Sequence, residues 1–326
     1  MNKFLKIFLI IIAVIAFGIT AFLSVLTFKY PAVGAAPDLK IESTSAQIER
    51  GKYLANHVTV CIDCHSQRNW NVFAGPIVPG TEGKGGEKFN EKYGFPGTFY
   101  SKNITPSGMG GWTDGEIYRA ITSGVSKNGK AFFPVMPYMN YNTMDTEDVK
   151  AIIAYLRTLK PIENKVPESS PNFPVNFMLR TMPKPAHPKQ RPEKSDVLAY
   201  GKYLTGIAAC DGCHTPQVKG KAIEGMYMAG GFEFPLFTGG VVRSSNLTSD
   251  QETGIGKWSK ESFISRFKIY ADSSMQKIPV QKGKFNTFMP WFMYAEMTEE
   301  DLGAIYTYLQ SISPVKNQVE KFTPSK

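Results

Sequence analysis

The feature that most constrains this 326-residue chain is that it repeats itself. Gly51-Lys52-Tyr53-Leu54 recurs as Gly201-Lys202-Tyr203-Leu204, and Cys61-Ile62-Asp63-Cys64-His65 recurs as Cys210-Asp211-Gly212-Cys213-His214. Asn103-Ile104-Thr105 matches Asn246-Leu247-Thr248, Trp112 matches Trp258, and Met136-Pro137 matches Met289-Pro290. The landmarks keep one order, with offsets between 143 and 153. That is an internal duplication whose small insertions fall in the loops between landmarks. Two folding units of the same plan are expected, at 40–160 and 196–315.

Each unit ends on a strong helical pattern. In the first, Asp145 is placed to cap while Val149, Ile152, Ile153, Leu156 and Leu159 supply an apolar stripe. In the second, Thr298 with Asp301 resembles a capping box with a shorter acid, followed by Leu302, Ile305, Tyr306, Leu309 and Ile312. Each unit also begins with a helix leading into its cysteine pair, around 46–54 and 196–204. The intervening stretches are rich in Gly and Pro and read as loops. Between the units, 161–195 forms a connector with eight prolines from Pro161 to Pro192, stiff and extended and expected to pack across the surface. The fold class expected is all-α, two tandem domains following a membrane helix, with the two halves in a pseudo-twofold arrangement.

The amino terminus supplies that helix. Ile7 to Phe28 is 22 residues without a charge. At 1.5 Å per residue this spans roughly 33 Å, enough to cross a ~30 Å hydrocarbon core. Lys3 and Lys6 precede it, which places the amino terminus in the cytoplasm and the remainder outside. Cleaved signals have apolar cores of only ~7–15 residues, so 1–29 reads as a retained anchor. The expected location is a bacterial inner membrane, single-pass, with the repeated units on the periplasmic side.

Only four cysteines and four histidines occur, and two of the histidines directly follow a cysteine. Cys-x-x-Cys-His is the attachment signature of c-type haem. Two thiols on one turn reach two vinyl groups, and the adjacent His65 or His214 meets the iron. A redox disulfide or half of a zinc site is the alternative reading of a lone Cys-x-x-Cys. Neither explains why both pairs carry the histidine behind a matching helix. Two covalently bound haem c groups are expected, on Cys61 and Cys64 and on Cys210 and Cys213.

For the sixth iron ligand, His57 and His187 have no counterparts in the opposite half, so a symmetric bis-histidine scheme is unavailable. Met136 and Met289 stand at equivalent positions, each followed by Pro, and are the expected ligands; Met139 and Met293 are the fallback, and Met144 and Met297 are less suitable because they abut the helix cap. Core filling is the alternative role for such methionines. A thioether favours ferrous iron and raises the reduction potential relative to bis-histidine. Asn103, Trp112, Asn246 and Trp258 are candidates for hydrogen bonds to haem propionates, with loop and core packing as the competing role.

At these residues the chain resembles the membrane-anchored dihaem cytochromes c related to the cytochrome subunits of bacterial alcohol and gluconate dehydrogenases. The haem motifs, Asn103-Ile104-Thr105-Pro106, Thr253-Gly254-Ile255-Gly256-Lys257-Trp258 and the two Met-Pro strings carry the resemblance, over roughly 46–160 and 196–312. It implies small α-helical cytochrome c folds that pass electrons from a dehydrogenase towards quinone or an oxidase. The sequence departs from the alcohol dehydrogenase subunit in having two haem motifs where that subunit has three, and in its amino-terminal anchor.

The expected function is therefore single-electron transfer between a periplasmic dehydrogenase or other respiratory donor and a downstream acceptor such as a terminal oxidase. Activity of the chain alone is not expected. The alternative is a haem enzyme, a dihaem peroxidase or sulfur-compound dehydrogenase, with one open iron. No spare cysteine exists to supply a thiolate, and both halves carry a candidate methionine. The formal charge of +9 suits acidic protein partners. Nucleic acid is not an expected partner, because no run of five like charges and no basic stripe interleaved with aromatics occurs.

Overall fold

The computed structural model describes residues 2–325. Helix α1 (Lys3–Lys29) is the apolar amino-terminal segment, capped by the Asn2 side chain and almost wholly exposed. The first half contains α2 (Ser45–Tyr53), α3 (Cys61–Cys64), α4 (Pro106–Met109), α5 (Asp114–Ser123), α6 (Tyr138–Tyr141) and α7 (Thr146–Thr158). The connector holds α8 (Val175–Met178). The second half contains α9 (Val197–Ile207), α10 (Cys210–His214), α11 (Lys260–Lys268), α12 (Trp291–Tyr294) and α13 (Glu299–Gln310).

Helices α5 and α11 occupy stretches that read as loops from composition. Their starts are nevertheless written in the chain. Thr113 accepts from the Glu116 backbone N–H while Glu116 accepts from that of Thr113, a complete capping box, and Ser259 caps α11. The fold is helix-rich but not purely helical. Short strands β1 (Lys88–Phe89), β2 (Gly97–Tyr100) and β3 (Ser170–Pro171) form one antiparallel sheet. Strands β4 (Gln217–Val218) and β5 (Lys221–Ala222) make a hairpin, and β6 (Glu233–Pro235), β7 (Val241–Arg243) and β8 (Phe322–Thr323) make a third sheet.

The dominant packing in each half is between its first and last long helices, α2 on α7 and α9 on α13. Close approach is permitted by one glycine in each pair. A Cβ at Gly51 would collide with the Ala151 carbonyl, and a Cβ at Gly201 with the Ala304 carbonyl. The repeated Gly-Lys-Tyr-Leu string is thus a helix-crossing signal. Its tyrosine has a second use, because the two halves share a single apolar core and bond reciprocally across it. Tyr53 OH donates to Asp301 Oδ2 at 2.6 Å, and Tyr203 OH donates to Asp148 Oδ2 at 2.8 Å. The same hydroxyls accept from the backbone N–H groups of Thr298 and Asp145, the residues that cap α13 and α7. These matched contacts describe an approximate twofold relation between the halves.

The relation breaks at one position. Arg50 forks onto the buried Asp148 carboxylate at 3.0 and 2.9 Å, and Arg191 of the connector adds a further bond. The counterpart of Arg50 is Tyr200, so among the described residues buried Asp301 has no guanidinium, and its Oδ1 has no hydrogen-bond partner. Asp148→Asn is therefore expected to cost about 1–3 kcal/mol, since it weakens the bonds to two partly exposed guanidinium groups. Asp301→Asn should cost much less. Thermal unfolding of the two variants beside the unchanged chain checks the contrast.

The connector is not free. Strand β3 pairs with β2 of the first half, and the backbone N–H groups of His187 and Lys189 donate to Asn142 and Thr143 carbonyls. His187 thereby contributes its backbone, while its side chain is exposed.

Candidate functional site

Each Cys-x-x-Cys-His segment follows a residue in the left-handed region, Val60 at φ +47° and Ala209 at φ +52°. Neither is glycine, and a β-branched residue there is strained. The turn separates the entry helix from the short helix that carries the two cysteines. In the first half the entry helix continues from α2 through a π-helical turn at Leu54–Val58 before this point. Sequence reasoning missed both left-handed residues, since neither residue type signals one.

The histidines are held in matching ways. His65 Nδ1 is 2.6 Å from the Lys102 carbonyl oxygen and His214 Nδ1 is 2.8 Å from that of Ser245. A carbonyl oxygen only accepts, so Nδ1 carries the hydrogen and Nε2 keeps its lone pair. Burial lowers the pKa of both rings, against the opposing pull of those hydrogen bonds, so the neutral form prevails. Both backbones are clamped as well: the His65 and His214 carbonyls accept from Gly85 and Gly230 at 2.7 Å. Those glycines sit at φ +69° and +73°, and a Cβ on either would strike the Lys102 or Ser245 backbone that supplies the carbonyl to the ring. A neutral imidazole with Nδ1–H engaged by a backbone carbonyl is the arrangement that orients a metal-ligating histidine.

The cysteines are unpaired with one another in disulfides; Cys64 and Cys213 are exposed and Cys61 and Cys210 half-buried. Burial raises the pKa of the half-buried Cys61 thiol, and burial with Asp211 pushes that of Cys210 up to about 12. Redox-active dithiols have depressed pKa values instead. Two protonated thiols beside a lone-pair-bearing imidazole fit a haem c that is bonded through sulfur and ligated by nitrogen. No group of three or more His, Cys, Asp or Glu side chains among the described residues is arranged to hold a metal ion directly.

Met136 and Met289 occupy equivalent turns. The carbonyl of each accepts from the residue two further on, Tyr138 and Trp291, both at 2.8 Å, around prolines with φ −79°. Both methionines are half-buried against the shared core. Among the fallback residues, Met139 is 52% exposed and Met293 half-buried, while Met144 and Met297 are fully buried core fillers. The elements that follow these turns reach into the other half's haem-motif region. Asn140 Nδ2 donates to Asp211 Oδ1 at 2.8 Å, inside the second Cys-x-x-Cys-His, and His57 Nδ1 lies 3.2 Å from the Met293 carbonyl.

The asparagines at matching positions of the two halves make matching local hydrogen bonds. Asn103 Oδ1 accepts from Thr105 and its Nδ2 donates to the Ile162 carbonyl. Asn246 does the same with Thr248 and Val315, and its Nδ2 also donates to Thr253, which leaves it no N–H for a propionate. Both residues pin the chain leaving the last helix of their half. Trp112 packs against the core, its carbonyl accepting from Arg157, and Trp258 is 38% exposed.

His57 links the halves through the Met293 carbonyl. Burial lowers its pKa, with the Met293 bond and Glu296 opposing and Lys52 and Lys268 adding to the decrease. A depressed folded pKa means the unfolded chain binds more protons, so its contribution is full above the ordinary value of ~6.5 and is lost as pH falls. The thermal midpoint should drop between about pH 7.5 and pH 5.5, and His57→Gln should flatten that slope.

Comparison with known proteins finds sequence relatives of one kind. Residues 198–313 match the family model described as cytochrome c. The chain is 28% identical to the cytochrome c subunit of alcohol dehydrogenase (quinone) from Gluconacetobacter polyoxogenes, covering 86% of this chain and 59% of that protein. It is 27% identical to the gluconate 2-dehydrogenase cytochrome c subunit of Pantoea cypripedii, covering 83% and 60%. The fructose dehydrogenase cytochrome subunit of Gluconobacter japonicus is 28% identical, covering 81% and 52%. The chain thus spans less than two thirds of the length of these relatives. It resembles the cytochrome c subunits of bacterial alcohol, gluconate and fructose dehydrogenases, and the stretch that matches the cytochrome c model carries the sulfur and imidazole groups for covalently bound haem c.

Proposed function

We propose that the chain carries single electrons on two haem c groups, one per half, between a dehydrogenase and a downstream acceptor such as a terminal oxidase. The observation that carries this reading is the paired histidine geometry: the same Nδ1-to-carbonyl bond in both halves, beside the same two thiols. Bound there, haem supplies an iron that changes oxidation state by one electron. Cys61 and Cys64, and Cys210 and Cys213, would hold it through thioethers. His65 and His214 would ligate through Nε2, with Met136 and Met289 as the second protein ligands. With both ligands supplied by the chain, no position would be left for substrate, which suits transfer rather than turnover. The soluble units, 40–160 and 196–315, would lie on the periplasmic side of the inner membrane with 1–29 as the anchor. The relatives' names support a dehydrogenase as the donor.

The test is an absorption titration of the purified full chain, oxidised and reduced, with and without carbon monoxide, alongside its intact mass. The expected result is a mass increment of two haems, two methionine–iron charge-transfer signatures and no carbon monoxide shift. A haem that binds carbon monoxide in the unchanged chain would overturn the carrier reading in favour of a haem enzyme. A single-haem increment would overturn the dihaem assignment.

A further inference from the structure

We propose that the connector around α8 is a second membrane contact, inserting Phe173 and Met178 into the lipid interface beside the anchor. This rests on α1 crossing the bilayer. The end of α1 is not a free tether. Leu26 is buried, and the Arg180 Nη2 group donates to the carbonyls of Thr27 and Tyr30 at 3.0 and 3.4 Å. The connector is therefore held where α1 leaves the hydrocarbon.

At that place the surface is apolar and outward-facing. Phe173 is 81% exposed, the most exposed large apolar side chain among the described residues outside α1, and Met178 is 52% exposed. Phe173 makes an edge contact with Phe177, with ring centres 6.2 Å apart. Phe28, in the last turn of α1, is 88% exposed. In water these rings are an unfavourable exposure; at the boundary between headgroups and acyl chains they are amphipathic anchors.

Between Glu168 and Glu193 the connector has four basic residues and no acid; Arg191 is committed to Asp148, and Arg180 is the one tied to the end of α1. Arg180 is half-buried and takes part in no ion pair among the described residues. A guanidinium that holds two neutral carbonyls beside lipid is placed to receive a phospholipid phosphate. The contact has a consequence for the first half, because β3 immediately precedes Phe173 and pairs with β2. The Asn172 N–H also donates to the Pro96 carbonyl. Seating the connector on the membrane would therefore orient the first half, which a single flexible tether cannot do.

The test uses the haem-loaded full chain in nanodiscs of phosphatidylethanolamine and phosphatidylglycerol. Position 173, 178, 17 or 218 is replaced in turn by p-benzoylphenylalanine, and lipid adducts are measured by mass spectrometry after irradiation. Val218 is 60% exposed on the β4–β5 hairpin and serves as the surface control, and Phe17 reports the anchor. Adducts at 17, 173 and 178 but not at 218 are expected. Adducts at 17 alone would overturn the second contact while leaving the anchor intact. No adduct at 17 would overturn the anchor reading itself, whatever happens at 173. With the photoprobe at 173, Arg180→Gln should lower the adduct yield about fivefold in anionic nanodiscs, with the yield at 17 unchanged. An undiminished yield would overturn the phosphate contact.

Discussion

Replacing Met136 or Met289 by alanine is expected to open one haem and leave the other closed. Each substitution should remove about half of the methionine–iron charge-transfer absorption and allow the reduced chain to bind one carbon monoxide. The reduction potential of the altered site should fall, because loss of the soft thioether removes a ligand that favours ferrous iron. The double variant should bind two. Substituting Met144 or Met297 instead should leave the spectrum unchanged and lower stability by about 2–5 kcal/mol, since both side chains are fully buried in the core. If Met139→Ala or Met293→Ala opens a haem where Met136→Ala or Met289→Ala does not, the ligand assignment in that half is wrong. The distinction depends on the turn and not on residue type, as all six methionines lie within the same two stretches of chain.

The second large effect concerns packing. Gly51→Ala and Gly201→Ala each drive a methyl group into a backbone carbonyl of the facing helix. Overpacking of flexible side chains costs about 1–3 kcal/mol, and a carbonyl held in a helix has less room to yield. A cost of about 3 kcal/mol or more is expected for each, a fall in thermal midpoint of roughly 10 °C. Gly206→Ala in the last turn of α9 provides the contrast. A Cβ there meets nothing within 4 Å, and the change should stabilise by about 0.5–1 kcal/mol. Near-equal midpoints for Gly201→Ala and Gly206→Ala would refute this account of the helix crossing.

Much of the plan was legible because it depends on local chemistry. The cysteine pairs, their histidines and the Met-Pro turns recur at matching registers, and the helices capped by Asp145 and Thr298 begin where their caps stand. The helices α5 and α11 were legible in principle, through the capping box at Thr113 and the Ser259 cap, but the surrounding glycines and prolines dominated the reading. The short strands were not legible. Two-residue strands such as β3 exist only because a partner, here β2, lies alongside. The asparagines at 103 and 246 show the same limit in reverse: their repetition was visible, but the Ile162 and Val315 carbonyls they hold come from 59 and 69 residues further on.

What the sequence determined by itself is the inventory and its order: an apolar helix, then the same thiol, imidazole and thioether donors twice over. Those follow from residue identity and spacing along one chain, which short-range geometry converts directly into turns and helix caps. Only the tertiary structure decided which histidine nitrogen is engaged, since the Lys102 and Ser245 carbonyls that select it are distant in sequence. It alone also decided that Tyr53 and Tyr203 bond across the halves, that Arg50 has a carboxylate partner while its counterpart Tyr200 leaves Asp301 without one, and that Arg180 ties the connector to the end of α1. Each of these depends on long-range approach through a shared core, and burying a polar group obliges it to find whatever partner that core brings near.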